Sequence, residues 1–140
     1  MMIDNLSKEQ LEGIMEVLPV EFVFVDENDL VRYWNQHETR IMKIPNSIIG
    51  KPIQDHHPQR AVAKVKQIIS DFKSGKKNVA KFWLDYKGRK YLSVYFSIRN
   101  KAGKYLGIIE TVQDVTEIQQ LEGEKRFPDY IEAEQRFPGY

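Results

Sequence analysis

The chain has 140 residues, 41% of them hydrophobic and 11% aromatic, which suits one domain with a real core plus a short tail, and its mean hydropathy of −0.52 argues against a membrane span. Its 21 Lys and Arg against 20 Asp and Glu leave a net charge of +1, too weak a basic field to draw nucleic acid by counterion release. Cysteine is absent, which excludes disulfides, thiolate metal sites, cysteine nucleophiles and flavin–cysteinyl photochemistry, and Met1-Met-Ile-Asp-Asn-Leu6 lacks the basic-then-apolar pattern of a secretory signal, so cytoplasmic residence is expected.

Ser7 with Gln10 forms a capping box, and Leu11, Ile14, Met15 and Leu18 follow at helical spacing, so a helix is expected from about Ser7 to Val17 before Pro19 stops it. Phe22-Val-Phe-Val25, the turn-forming Asp26-Glu-Asn-Asp29, and then Leu30, Val31, Tyr33 and Trp34 predict a hairpin. Asn35 stands where an N-cap is wanted, ahead of a short helical stretch carrying Ile41, Met42 and Ile44 up to Pro45. Ile48-Ile-Gly-Lys-Pro-Ile53 reads as a brief helical turn closed by its glycine. From Pro58 to Lys73 a longer helix is expected, with Ala61, Val62, Val65, Ile68, Ile69 and Phe72 toward a core. Its other face, with Arg60, Lys64, Lys66, Gln67 and Asp71, is expected to meet water, and Gly75 ends it.

Three strands follow, joined by turns at Lys87-Gly88 and Asn100-Lys-Ala-Gly103. In the first, Ala80, Phe82, Leu84 and Tyr86 alternate with Val79, Lys81, Trp83 and Asp85. In the second, Leu92, Val94, Phe96 and Ile98 alternate with Tyr91, Ser93, Tyr95 and Ser97. In the third, Leu106, Ile108 and Val112 share a face with Glu110, and the alternation leaves open which face that is. A final helical stretch is expected from about Thr116. The fold class is α+β: a five-stranded antiparallel sheet with helices packed on one face. The division is an N-terminal cap helix (1–18), a main domain (19–120) and a C-terminal tail (121–140).

Over residues 19–120 the chain resembles a PAS domain. Leu30-Val-Arg-Tyr-Trp-Asn35 resembles the second PAS strand, Ile48-Ile-Gly-Lys-Pro52 the turn ahead of the long helix, and Gly103-Lys-Tyr-Leu-Gly107 the last strand. Gln113-Asp-Val-Thr-Glu117 resembles the exit that links a sensor to its effector, with Val115 in place of the usual isoleucine. Gln54-Asp-His-His-Pro58 and Gln120-Leu-Glu-Gly123 are similar to the PAS-like domain that bacteria carry fused to hemerythrin-like domains. The resemblance implies the PAS fold and a sensory, ligand-binding and protein-interaction module of signal transduction. It also implies a core pocket between the long helix and the inner sheet face, lined by Phe24, Ile41, Ile69, Phe72, Leu92, Val94, Phe96 and Ile108, suited to a small hydrophobic ligand or cofactor. The same residues, at regular spacing, read equally as a packed core.

His56 and His57 are the sharpest local signal. They precede a helix N-terminus, where the macrodipole opposes imidazolium and favours the neutral ring that a metal or haem iron requires. In the family resembled, haem is held by a histidine near this helix, so a haem-binding gas or redox sensor with His57 or His56 as axial ligand is one reading, and these two residues are the metal-ligand candidates. The other is that one histidine caps the helix and its neighbour is solvated. His57, which directly precedes the helix, is the favoured of the two, and His37 is assigned to the surface.

Catalysis has little support: there is no phosphate loop, nucleophile elbow or metalloprotease pattern, so no catalytic residue is assigned, and a small metabolite-processing enzyme subunit stands only as an alternative. In the tail, Glu122-Gly-Glu-Lys-Arg-Phe-Pro-Asp-Tyr130 is echoed by Glu132-Ala-Glu-Gln-Arg-Phe-Pro-Gly-Tyr140. That duplication reads either as a docking segment or as a solvated end. The expected partners are a second copy in a homodimer, a separate effector protein and a small hydrophobic ligand, with no nucleic acid and no membrane.

Overall fold

The computed structural model describes residues 1–36, 40–53 and 57–127. Ser7 holds an extended backbone, its hydroxyl accepts from the Gln10 amide at 3.0 Å, and the Gln10 side chain accepts from the Ser7 amide at 3.0 Å. That reciprocal pair satisfies two donors that a helix start leaves open, and α1 (Lys8–Val17) follows. Two strands, β1 (Glu21–Asp26) and β2 (Val31–Trp34), make the expected antiparallel hairpin. One carboxylate organises its turn: Asp26 accepts from the Asn28 and Leu30 amides at 2.9 and 3.1 Å and from Arg32 Nε at 2.6 Å.

The segment after β2 departs from expectation. Asn35 does not cap a helix. It is fully buried, accepting from the Phe22 amide at 2.7 Å and donating to the Met15 and Val20 carbonyls at 2.8 and 2.9 Å, so it knots α1, β1 and β2 together. Residues 40–45 are not helical. Buried Arg40 and Glu21 explain this: the Arg40 guanidinium donates to the carbonyls of Phe22, Asn35 and Met42, while Glu21 accepts from the Ile41 and Met42 amides. Those bonds take the backbone groups that a helix would have used. A 3-10 turn, Asn46–Ile48, and Gly50 at φ 77° then return the chain to β2, where Leu30 bridges Pro52.

A second 3-10 turn, Gln59–Ala61, leads into α2 (Val62–Ser74), which Gly75 ends in the left-handed conformation at φ 79°. Asp71, expected on the water face, is buried instead, its carboxylate accepting from Gln67 Nε2 at 2.9 Å. Strands β3 (Val79–Tyr86), β4 (Arg89–Arg99) and β5 (Tyr105–Asp114) complete a five-stranded sheet in the order β2-β1-β5-β4-β3, all pairs antiparallel. The last strand therefore lies beside the first, in the middle. Gly107 permits this approach, since a Cβ there would sit 2.1 Å from the Val25 carbonyl oxygen. After β5 the expected helical stretch is a single 3-10 turn, Ile118–Gln120.

The core lies on one face of the sheet, where Val23, Val25, Val31, Trp34 and Ile108 meet Ile48, Ile53, Val65, Ile69 and Phe72. Register decides which β4 residues share that face. Val25 pairs with Ile108 and Ile108 with Ser97, while Glu110 lies between Val23 and Tyr95. Directly paired residues point the same way, so Tyr91, Ser93, Tyr95 and Ser97 face the core. Phe24, Leu92, Val94 and Phe96, expected to line an inner pocket, lie on the opposite face. The half-aromatic, half-small row is the inner one, and sequence alternation cannot tell it from its apolar neighbour. Among the described residues no helix is long and apolar enough to cross a membrane.

Candidate functional site

Glu110 interrupts the apolar row of β5 on the core side of the sheet and is 8% exposed. Burial pushes its carboxyl up to about 7, because a charge loses its hydration there. The carboxyl has no hydrogen-bond partner among the described residues. His57 faces it, with Nε2 3.8 Å from Glu110 Oε1 and both side chains largely enclosed. His57 Nδ1 is 3.1 Å from the Ile53 carbonyl oxygen. A carbonyl only accepts, so Nδ1 carries the proton and Nε2 is the nitrogen turned to the carboxyl. Ile53 is itself fully buried, and it anchors the histidine at the approach to α2.

Tyr95 pairs with Glu110 across β4 and β5. Burial and the neighbouring Glu110 carboxyl both raise its phenol, and a hydrogen bond from Ser93 works the other way. Its ring meets Phe82 edge-on at 5.8 Å between centroids. Tyr95, Glu110 and His57 thus bring polar side chains from β4, β5 and the α2 approach to the core side of the sheet. Such a cluster binds or releases one proton near neutrality and offers both a donor and an acceptor to a small guest.

A second constellation fastens the exit of the sheet. Arg89, at the start of β4, hydrogen-bonds Asp114 and reaches both Glu117 oxygens at 2.5 and 2.6 Å. Thr116 donates its amide and hydroxyl to Asp114 at 3.0 and 2.7 Å and accepts from the Lys90 amide at 2.9 Å. The Arg89 bond holds the Asp114 carboxyl down at about 2. Beside this clamp lies a groove of about 390 Å³ that Glu21, Ile41 and Val112 share with Arg89 and Asp114.

The predicted site residues therefore divide. Ile69, Phe72 and Ile108 meet in the core, and Ile41 is half-exposed at the exit groove. Phe24, Leu92, Val94 and Phe96 lie behind the sheet. His37 and His56 fall outside the described residues. His57 does turn inward, but toward a carboxyl. A haem ligand needs an imidazole nitrogen facing room for the macrocycle, whereas one His57 nitrogen faces Glu110 and the other a backbone carbonyl. The residues present do not fit haem held by His57. Among the described residues no three His, Cys, Asp or Glu side chains gather as a metal site. Sequence reasoning missed Glu110 and Tyr95 as site residues, although a lone glutamate between Ile108 and Val112 was a visible signal.

The family model for the PAS domain matches residues 11–116. A C-terminal domain from Streptococcus mutans is similar at 28% identity and TM-score 0.78, over 84% of this chain and 91% of that one. A PAS domain from Colwellia psychrerythraea is 16% identical with TM-score 0.56, covering 78% of this chain and 97% of that one. A sensory box sensor histidine kinase from Vibrio cholerae is 16% identical with TM-score 0.55, covering 82% and 94%. The VqmA dimer of Vibrio cholerae is 21% identical with TM-score 0.58, covering 85% of this chain and 56% of that one. No curated protein sequence matches significantly.

Proposed function

We propose, from the premise that the chain belongs to the PAS domain family, that it is a sensory module whose core responds to a small, largely apolar ligand carrying one hydrogen-bonding group. The single observation that carries this reading is Glu110. A carboxyl this deeply buried, with no hydrogen-bond partner among the described residues, costs stability, and such a group persists where function uses it. A guest seated against the core face, near Tyr95 and His57, supplies the missing partner. Sensing is the role this reading assigns, as sensor histidine kinases share the fold.

Glu110 lies on β5, and the Asp114–Glu117 clamp terminates that same strand. Ligand binding that shifts β5 is therefore passed to the exit, and from there to a separate effector protein, provided the ligand binds one arrangement better than the other. The chain acts as a homodimer in this reading. Ile14 and Val17 on α1, with Val79, Trp83 and Phe96 behind the sheet, are exposed apolar residues that a second copy would cover. VqmA, which shares the fold, forms a dimer.

Native mass spectrometry of the protein purified gently from its own host tests the ligand. A bound mass that Glu110→Gln loses is the expected result. A protein that carries no mass, and whose melting temperature no metabolite in a broad library moves, would overturn the proposal.

A further inference from the structure

Glu110 differs from the other buried carboxylates among the described residues. Glu21 accepts from the Ile41 and Met42 amides and lies 3.9 Å from Arg40 Nη2. Asp26 accepts from two amides and Arg32, and Asp71 accepts from Gln67. Arg40, the one buried Lys or Arg among the described residues, is committed to Glu21 and to the carbonyls of Phe22, Asn35 and Met42. Burial alone therefore acts on the Glu110 carboxyl, and no Lys or Arg among the described residues draws its titration back down. His57 Nε2, 3.8 Å away, is too far for a direct hydrogen bond to it.

Register builds the rest of a site beside this carboxyl. Tyr95 pairs directly with Glu110, and side chains so paired stand roughly 5 Å apart at Cβ, so a group held by the carboxyl is within reach of the Tyr95 ring. The next row on the core face is Val112, Ser93 and Phe82, and beyond it Tyr91 pairs with Leu84. Phe82, Leu84 and Tyr86 face the core side yet are 46%, 52% and 53% exposed, so the described residues leave that end of the face open. One row along and two strands across, this apolar and aromatic ledge begins roughly 12 Å from Glu110.

Resting on the reading of Glu110 as the ligand contact, we propose that the ligand is a cation, a protonated amine on an apolar body roughly 10 Å long. The ammonium sits between the Glu110 carboxylate and the Tyr95 ring, and the body lies over Ser93 and Phe82 toward Leu84. A neutral guest leaves Glu110 either protonated or as a buried charge without a counter-charge. An ammonium brings the opposite charge and several N–H donors together, and a charge-assisted bond is about twice as strong as a neutral one. The electron-rich ring adds its own attraction for a cation. A carboxylate guest meets like charge at the same point.

Three probes that share one body test this: octylamine, 1-octanol and octanoate, titrated calorimetrically into the full chain near neutral pH. Octylamine is expected to bind about tenfold or more tighter than octanol and octanoate more weakly than either, and Glu110→Gln is expected to bring the amine level with the alcohol. NMR titration of the wild-type Glu110 carboxyl needs no variant: saturating octylamine is expected to lower its midpoint, and octanol is not. Octanol binding as tightly as octylamine, with both weakened in Glu110→Gln, would overturn the cation and leave a polar-headed apolar ligand at this site. No binding of octylamine, with the midpoint unmoved, would overturn it as well.

Discussion

Glu110 makes the chemistry of this core depend on pH. In the unfolded chain its carboxyl titrates near 4.5, the ordinary value for a glutamate, and in the folded chain at about 7. Below the lower value both states hold the proton and burial carries no penalty. As pH rises through the window between them, the unfolded chain releases its proton first, so stability falls. The penalty is complete above the folded value, at roughly 3 kcal/mol. Glu110→Gln removes it: urea unfolding curves of variant and wild type are expected to coincide near pH 4 and to separate by pH 8, with the variant the more stable. Curves that stay parallel across that range would contradict the burial account. The sequence made His57 visible and left the face of Glu110 open, because their meeting depends on tertiary placement that no local spacing encodes. Asn35 is similar: its position before a turn reads as a cap, and only the arrival of α1 and β1 makes it a buried cross-link.

At the scale of elements, the periodic segments were legible. Ser7 and Gln10 mark the start of α1, Gly75 the end of α2, and period-two alternation the three long strands. The faces of β4 were not legible, since a row of Leu, Val, Phe and Ile competes with a row of Tyr and Ser, and register against β5 puts the second row inside. The stretch at 40–45 failed for another reason: Arg40 and Glu21 capture backbone groups that helical propensity alone would have left to a helix. At the end of β5, Arg89 holds both Asp114 and Glu117. Arg89→Ala is expected to return the Asp114 carboxyl from about 2 toward the usual carboxylate range, seen by NMR titration. The same change should speed exchange of the Val115 amide, which bonds the Lys90 carbonyl at 2.9 Å next to the clamp. An unmoved Asp114 would mean that Arg89 does not hold it in solution.

On the scale of the whole molecule, the sheet is asymmetric. One face is covered by α2 and the 40–53 segment, while the other leaves Trp83 66% exposed beside Val79 and Phe96. The hydrogen bonds of Asn35 and Gln36 to Met15, Glu16 and Leu18 hold α1 at the end of β2, with Ile14 and Val17 still in water. In the proposed homodimer a second copy would cover both patches. Sedimentation of the double variant Ile14→Glu, Trp83→Glu is expected to show a monomer where the wild type shows a dimer. A wild type that sediments as a monomer at high concentration would remove the dimer from the account.

In the proposed sensory role, sensing depends on the buried Glu110 carboxyl that faces His57. Its most direct test is a carbon-detected NMR titration of the Glu110 side-chain carboxyl in the full-length chain. A midpoint of about 7 is expected. A midpoint near 4.5, the ordinary value for a glutamate, would place the carboxyl in water and contradict the site.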